Sequence, residues 1–342
     1  MAANPVVDGK RVSVSEVLRV EDLRVSYRDR GRVVRAVDGV DLALEAGKTL
    51  AIVGESGCGK TSIALAILGL VPHPGTVDTG RVYYDGTDLR SLNGDELRRI
   101  RGREISMIFQ DPASGLNPVL SIGTQVEEIV RAHLEVTKTE SRAMTLNAIR
   151  RQGIPDPERI MGAYPFHLSG GMCQRVMIAI ATVLHPRVII ADEPTSALDV
   201  TVQAGILREL DDLKRHLDAS IILITHDLGV VAQMADDVAV MYAGRIVEYA
   251  DAVEVYERPS HPYTSALLAA RPRLDGDRTP LQVIRGTPPD LAQLPGECAF
   301  LPRCTKALSE CRSEPWPPLR NTAPNHMAAC YNPMFHADAQ ER

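Results

Sequence analysis

A chain of 342 residues, 44% hydrophobic and 24% charged, has the make-up of a globular protein and enough length for one large domain or two unequal ones. Its net charge of -6 excludes a general nucleic-acid binder, which would lean on a basic surface, but not a local site for a small anion. Aromatics make up only 4%, so the core must rest on Val, Ile, Leu and Ala. The start, MAANPVVDGKRVSV, lacks the apolar segment of a signal peptide, and the longest apolar run, 176–184, is too short to cross a bilayer. These features predict a cytosolic chain that meets a membrane only through a partner.

Residues 17–27, VLRVEDLRVSY, alternate as a half-buried strand should. TLAIVG at 49–54 has the length of a buried strand, and TSIALAILGL at 61–70 that of a helix. RVYYDG (81–86) and EISMIFQ (104–110) read as further strands, and 120–152 as mostly helical. The segment 170–184 predicts a helix, followed by the buried strand VIIAD at 188–192, a helix near 200–217 and the buried strand SIILIT at 220–225. Strands alternating with helices predict an α/β fold with a parallel sheet covered on both faces. Past residue 250 prolines recur and long periodic segments stop, which places a boundary near 255 and a loop-rich appendage after it.

Gly54, Gly59, Lys60 and Thr61 complete the pattern G-x-x-x-x-G-K-[ST] between a predicted strand and a predicted helix. Glycines let successive amides turn toward phosphate oxygens, and the following helix adds the positive end of its dipole. Gly54, Ser56, Gly57, Cys58, Gly59, Lys60, Thr61 and Ser62 are therefore the expected phosphate cradle. The pattern predicts that Lys60 reaches the β- and γ-phosphates, that Thr61 ligates Mg²⁺ and that Ser62 serves the α-phosphate. Further on, VIIADEP ends a buried strand in two carboxylates. Asp192 suits Mg²⁺ held through water, and Glu193 suits a general base that polarises the attacking water.

HLSGGMCQR (167–175) places a glycine pair before a helix, a second anion-binding terminus in the same chain. With the acidic strand end and SIILITHD, residues 18–250 or so resemble the ATP-binding subunits of ABC transporters. The resemblance implies a P-loop NTPase of the ABC type, with a tail at 1–17, an ATPase domain at 18–255, a helical subdomain at about 112–185 and an extension at 256–342. It implies that Tyr27 stacks on adenine and that Gln110, in MIFQDP, senses Mg²⁺ and the γ-phosphate. Ser169, Gly170, Gly171 and Gln174 match the signature motif, Asp199 the D-loop aspartate and His226 the switch histidine. In this family two subunits close head to tail, and the signature of one serves the ATP on the phosphate loop of the other. One phosphate loop and one signature in this chain imply a second ATPase partner, identical or different.

ERPSHPYTSALLAARPRL (257–274) and IRGTPPDLAQLPGECAFLPRC (284–304) resemble the C-terminal extension of oligopeptide and dipeptide importer ATPases. That resemblance implies two transmembrane permease subunits, an extracytoplasmic solute-binding protein and a place on the cytoplasmic face of the membrane. Relatives with this extension also serve nickel and some sugars. A soluble ABC-type ATPase acting on DNA or ribosomes is disfavoured by the acidic charge, the single ATPase unit and the short span between the P-loop and Gln174. Cys298, Cys304, Cys311 and Cys330 follow C-x5-C-x6-C-x18-C, without the close pairs usual for structural zinc. Four thiolates on a loop-rich segment suit a cubane iron–sulfur cluster better than zinc, and the family extension resembles a binder of one [4Fe–4S] cluster. Cys58 and Cys173 read as small residues tolerated where they stand.

Overall fold

The apolar runs 188–192 and 220–225 fold as neighbouring parallel strands whose residues are all buried. The computed structural model describes residues 6–7, 10–11, 16–195, 200–270 and 283–334, in two compact units. The first unit takes in Leu44–Lys48 and Ser91–Ile224; the second takes in Leu18–Ala43, Thr49–Arg90 and the chain from Thr225 onward.

In the first unit Val188–Asp192 lies between Ile105–Ile108 and the strand beginning at Ser220, parallel to both. Val188 stands opposite Ile105 on one side and Ser220 on the other, so the strands end at a common edge. Continuous Ile, Val and Ala without alternation is what burial on both faces demands. The helices Ile122–His133, Lys138–Arg151 and Gly170–Thr182 pack through Ile122, Val126, Val130, Ile149, Val176 and Ala179. Their starts are fixed by Ser121, by a Thr137–Glu140 capping box and by Ser169. Val200–Leu217 is one helix, within a residue of the expected span.

In the second unit Thr49–Val53 runs parallel to Asp237–Tyr242, which turns back antiparallel into Arg245–Asp251. The short strands His326–Ala328 and Arg320–Ala323 extend this sheet from the last strand. A separate antiparallel sheet combines Arg32–Glu45, Glu16–Asp29, Gly75–Tyr84 and Thr87–Asp88 in that order. Val53, Val240, Tyr242, Tyr263, Phe300 and Trp316 share one core cluster, so the late segment packs against the strand that precedes the phosphate loop. Glu248 is fully buried and accepts the amides of Ser260 (2.6 Å) and His261 (2.8 Å), with His326 Nε2 2.7 Å away. Three donors on one carboxylate offset its loss of water.

The parallel strands and their helices stand where the alternation predicts them, but the sequence reading assigns no strand to 32–45 or 237–251. In Arg32–Glu45 the polar residues Asp38 and Asp41 break the apolar pattern. Asp38 is satisfied by tertiary partners, accepting from Arg24 and from Arg245 Nη2 (2.6 Å), a compensation that no local pattern reveals. Among the described residues no helix is long and apolar enough to cross a membrane.

Candidate nucleotide-binding site

Thr49–Val53, wholly buried, delivers the chain to Gly54. A Cβ at Gly54 would run into the carbonyl oxygen of Met241, and one at Gly59 into that of Ala36. Gly59 also has φ +110°, a conformation L side chains rarely adopt, and is the N-cap of the helix Lys60–Ile67. The loop is held from below by the Gly244 amide, which donates to Cys58 O at 3.0 Å. Lys60 is buried, and its Nζ donates to the carbonyls of Gly54 (2.7 Å) and Glu55 (3.1 Å). The Lys60 side chain thus sits on the loop's own oxygens.

Ser56 and Gly57 are exposed at the rim, while Cys58 is buried, which pushes its thiol up. Thr61 is exposed in the first helical turn. Ser62 Oγ lies 3.2 Å from the hydroxyl of Tyr27, so the expected adenine-stacking residue stands beside the helix that leaves the loop. His226, also in this unit, is exposed directly after the strand Ser220–Thr225. Its neighbour Asp227 donates its amide to Thr225 Oγ1 (3.0 Å) and accepts that of Gly229 (2.7 Å), which fixes the backbone around the histidine.

The first unit holds the acids. Asp192 is the buried last residue of its strand. Glu193 has φ +46°, a left-handed backbone unfavourable for a side-chain-bearing residue, and its amide donates to Ile224 O at 2.8 Å. Gln110 is exposed just past the adjacent strand, and its Nε2 donates to Glu193 Oε2 at 3.0 Å. Two residues 83 positions apart thus meet because their strands end at one edge. Ser169 caps Gly170–Thr182 by accepting the Met172 amide at 3.3 Å. Gly170 faces open space at that terminus, Gly171 is half-buried, and Gln174 is buried one turn on. Cys173 is buried among the apolar residues of this subunit core, consistent with a packing residue. Asp199 lies outside the described residues.

In the second unit Cys298, Cys304, Cys311 and Cys330 line one small cavity together, although 32 residues separate the first from the last. None is in a disulfide. Burial pushes the Cys298 thiol to about 11 and the Cys330 thiol to about 12, with the neighbouring sulfurs adding to the rise. Among the described residues no three His, Cys, Asp or Glu side chains are drawn together tightly enough to hold a single metal ion. What the four thiols share is the lining of that cavity.

Glu55 lies within the phosphate loop and Tyr263 and Arg303 contact it, although no motif marks any of the three. Arg303 Nη1 and Nη2 donate to Glu55 Oε2 (2.6 Å) and Oε1 (2.9 Å). The Glu55 amide donates to the Tyr263 hydroxyl at 2.9 Å. Proximity of Arg303 to Cys304 in sequence is the one signal that could have drawn notice.

Residues 37–196 match the family model of the ABC transporter, and 247–311 that of the oligopeptide/dipeptide transporter C-terminal region. The chain is 47% identical over 299 residues to the dipeptide transport ATP-binding protein DppD of Bacillus subtilis, covering 87% of this chain and 89% of that one. It is 44% identical over 318 residues to the oligopeptide transport ATP-binding protein OppD of Escherichia coli, covering 93% and 94%. Among solved structures, the dimeric post-hydrolysis state of the ATP-binding cassette MJ0796 bound to ADP and Pi superimposes with a TM-score of 0.63. It shows 26% identity and covers 69% of this chain and 98% of that one. The phosphate loop, the acidic strand end and the late segment thus lead to one conclusion: the chain belongs to the ATP-hydrolysing subunits of ABC transporters, in the branch with the oligopeptide/dipeptide C-terminal region.

Proposed function

We propose that this chain binds and hydrolyses ATP to drive the import of dipeptides or oligopeptides through a membrane complex. The observation that carries the reading is the glycine-shaped phosphate loop around buried Lys60, in a chain with the peptide-transporter extension. Lys60 leaves the carbonyls of Gly54 and Glu55 for the β- and γ-phosphates, while the loop amides and the helix terminus take the remaining oxygens. Thr61, Gln110 and Asp192 are the residues that hold Mg²⁺, which supplies positive charge against the phosphates. Glu193 takes the proton of the attacking water, and Gln110 orients that carboxylate through the 3.0 Å hydrogen bond. His226 steadies the γ-phosphate, Tyr27 the adenine, and Asp199 the facing subunit.

Ser169, Gly170, Gly171 and Gln174 serve the nucleotide of a second ATPase subunit, a related chain or a copy, so turnover needs a dimer. The ATPase domain spans 18–255 with a helical subdomain at about 112–185, and the extension runs from 256. Exposed Phe109, beside Gln110, and exposed Phe166 support docking of permease subunits at the cytoplasmic face of the membrane. The external solute-binding protein then selects the cargo. Lys60→Ala tests the reading: MgATP affinity measured by calorimetry on the purified chain must fall at least about tenfold, equivalent to about 1.4 kcal/mol. Unchanged affinity overturns it. Identifying the solute on the co-purified external receptor separates peptide from nickel or glycoside.

The convergence of Cys298, Cys304, Cys311 and Cys330 on one cavity supports a second reading, that these residues hold a [4Fe–4S] cluster. Held there, a cluster would take the four thiolates as ligands and would tie a segment with little apolar periodicity into a fixed shape. Anaerobically purified protein should contain iron and acid-labile sulfide, both lost together in Cys304→Ser. Iron-free protein from that preparation defeats the assignment.

A further inference from the structure

Glu55 is held at every polar group it has. Its carboxylate receives both Arg303 Nη atoms, its amide donates to Tyr263 Oη, and its carbonyl accepts from Lys60 Nζ (3.1 Å) and the Cys58 amide (3.3 Å). Arg303 is held just as fully. Its side chain is 4% exposed, Nε donates to Arg285 O at 3.0 Å, and Nη1 also lies 3.3 Å from the Tyr242 hydroxyl. Tyr263 is wholly buried, its ring centroid 4.6 Å from that of Tyr242. A bidentate arginine–carboxylate pair fixes orientation as well as distance. Arg303 and Tyr263 come from the late segment, and Glu55 is the second residue of the phosphate loop.

From this geometry we infer that Arg303 and Tyr263 are positioning residues of the ATP site, which clamp Glu55 so that the phosphate loop is already bent for its ligand. The inference rests on the assignment of residues 54–62 as the phosphate cradle. Two physical effects follow. A loop fixed in advance binds phosphate without the cost of ordering its backbone. Arg303 also neutralises a carboxylate that would otherwise face a polyanion from within the cradle. Neither Arg303 nor Tyr263 touches the nucleotide in this scheme; both act through Glu55. The extension is thereby a component of the nucleotide site, linked to it by a side chain adjacent in sequence to Cys304.

The test compares Arg303→Gln, Arg303→Lys, Glu55→Gln and the double variant Glu55→Gln/Arg303→Gln in the full chain. Calorimetry reads MgATP binding, steady-state turnover of the assembled complex gives KM and kcat, and thermal melts report integrity. Arg303→Gln should raise both Kd and KM about tenfold while kcat falls by less than about threefold. Arg303→Lys should recover part of the loss, since it restores the charge without the fork. The double variant should bind more tightly than Arg303→Gln, because no bare carboxylate remains. If Arg303→Gln does not fold, Glu55→Gln decides the matter through its Kd. Wild-type Kd in folded Arg303→Gln and Glu55→Gln proteins, with only a lowered melting point, overturns the inference. Since Lys60→Ala tests the cradle itself, a failure of that assignment is seen separately.

Discussion

The phosphate loop and the acidic strand end are specified in different ways. At the loop the constraint is on the backbone: Gly54 and Gly59 face carbonyl oxygens of Met241 and Ala36 with no room for a Cβ. At the strand end the constraint is on side-chain chemistry: Asp192 and Glu193 bring two adjacent carboxyl groups to the end of a buried strand, and Gln110 Nε2 donates to one of them. The first region should therefore tolerate no added atom. The second should accept an isostere in shape while losing its chemistry.

The largest effect expected is on rate. Glu193→Gln keeps the shape of the strand end, so MgATP affinity and melting temperature should stay near wild type. Turnover should fall by roughly a hundredfold to ten-thousandfold. Steady-state hydrolysis measured on the assembled complex checks this, and normal turnover would remove Glu193 as the base. Gly59→Ala should do the opposite, striking structure first. The added methyl at φ +110° against Ala36 O should cost on the order of 3 kcal/mol, read as a lowered denaturation midpoint, and should abolish nucleotide binding. A stable Gly59→Ala protein with native affinity would break the contrast between the two regions.

His326→Ala probes a third kind of constraint, a buried charge satisfied from a distance. It strips one of three partners from Glu248 and should cost roughly 1–3 kcal/mol in chemical denaturation, with no direct effect on the nucleotide. The smallest structural effect belongs to Gln110→Ala. Its amide and the Glu193 carboxylate are solvent-accessible, so stability should change by less than about 0.5 kcal/mol. Turnover should nevertheless drop, because the carboxylate loses its orientation; equal losses in both measurements would contradict that role.

Much of this architecture was legible because its signals are local. The glycines at 54 and 59, the apolar runs 188–192 and 220–225, and the helix at 200–217 each announce themselves within a few residues. The strand Arg32–Glu45 did not, since Asp38 looks like a loop residue until Arg24 and Arg245 are seen beside it. Arg303 stayed hidden for the same reason. Its partner Glu55 lies 248 positions earlier, and nothing in either neighbourhood predicts the meeting. Gln110 is legible from motif resemblance and Glu193 from the carboxylates that end a buried strand, yet their hydrogen bond comes from the parallel register of their strands.

The placement of Phe300 and Trp316 in the same cluster as Val53 makes the late segment part of the core. A chain cut short of these two residues would bare the strand that leads into the phosphate loop. What looks like an add-on has become joinery.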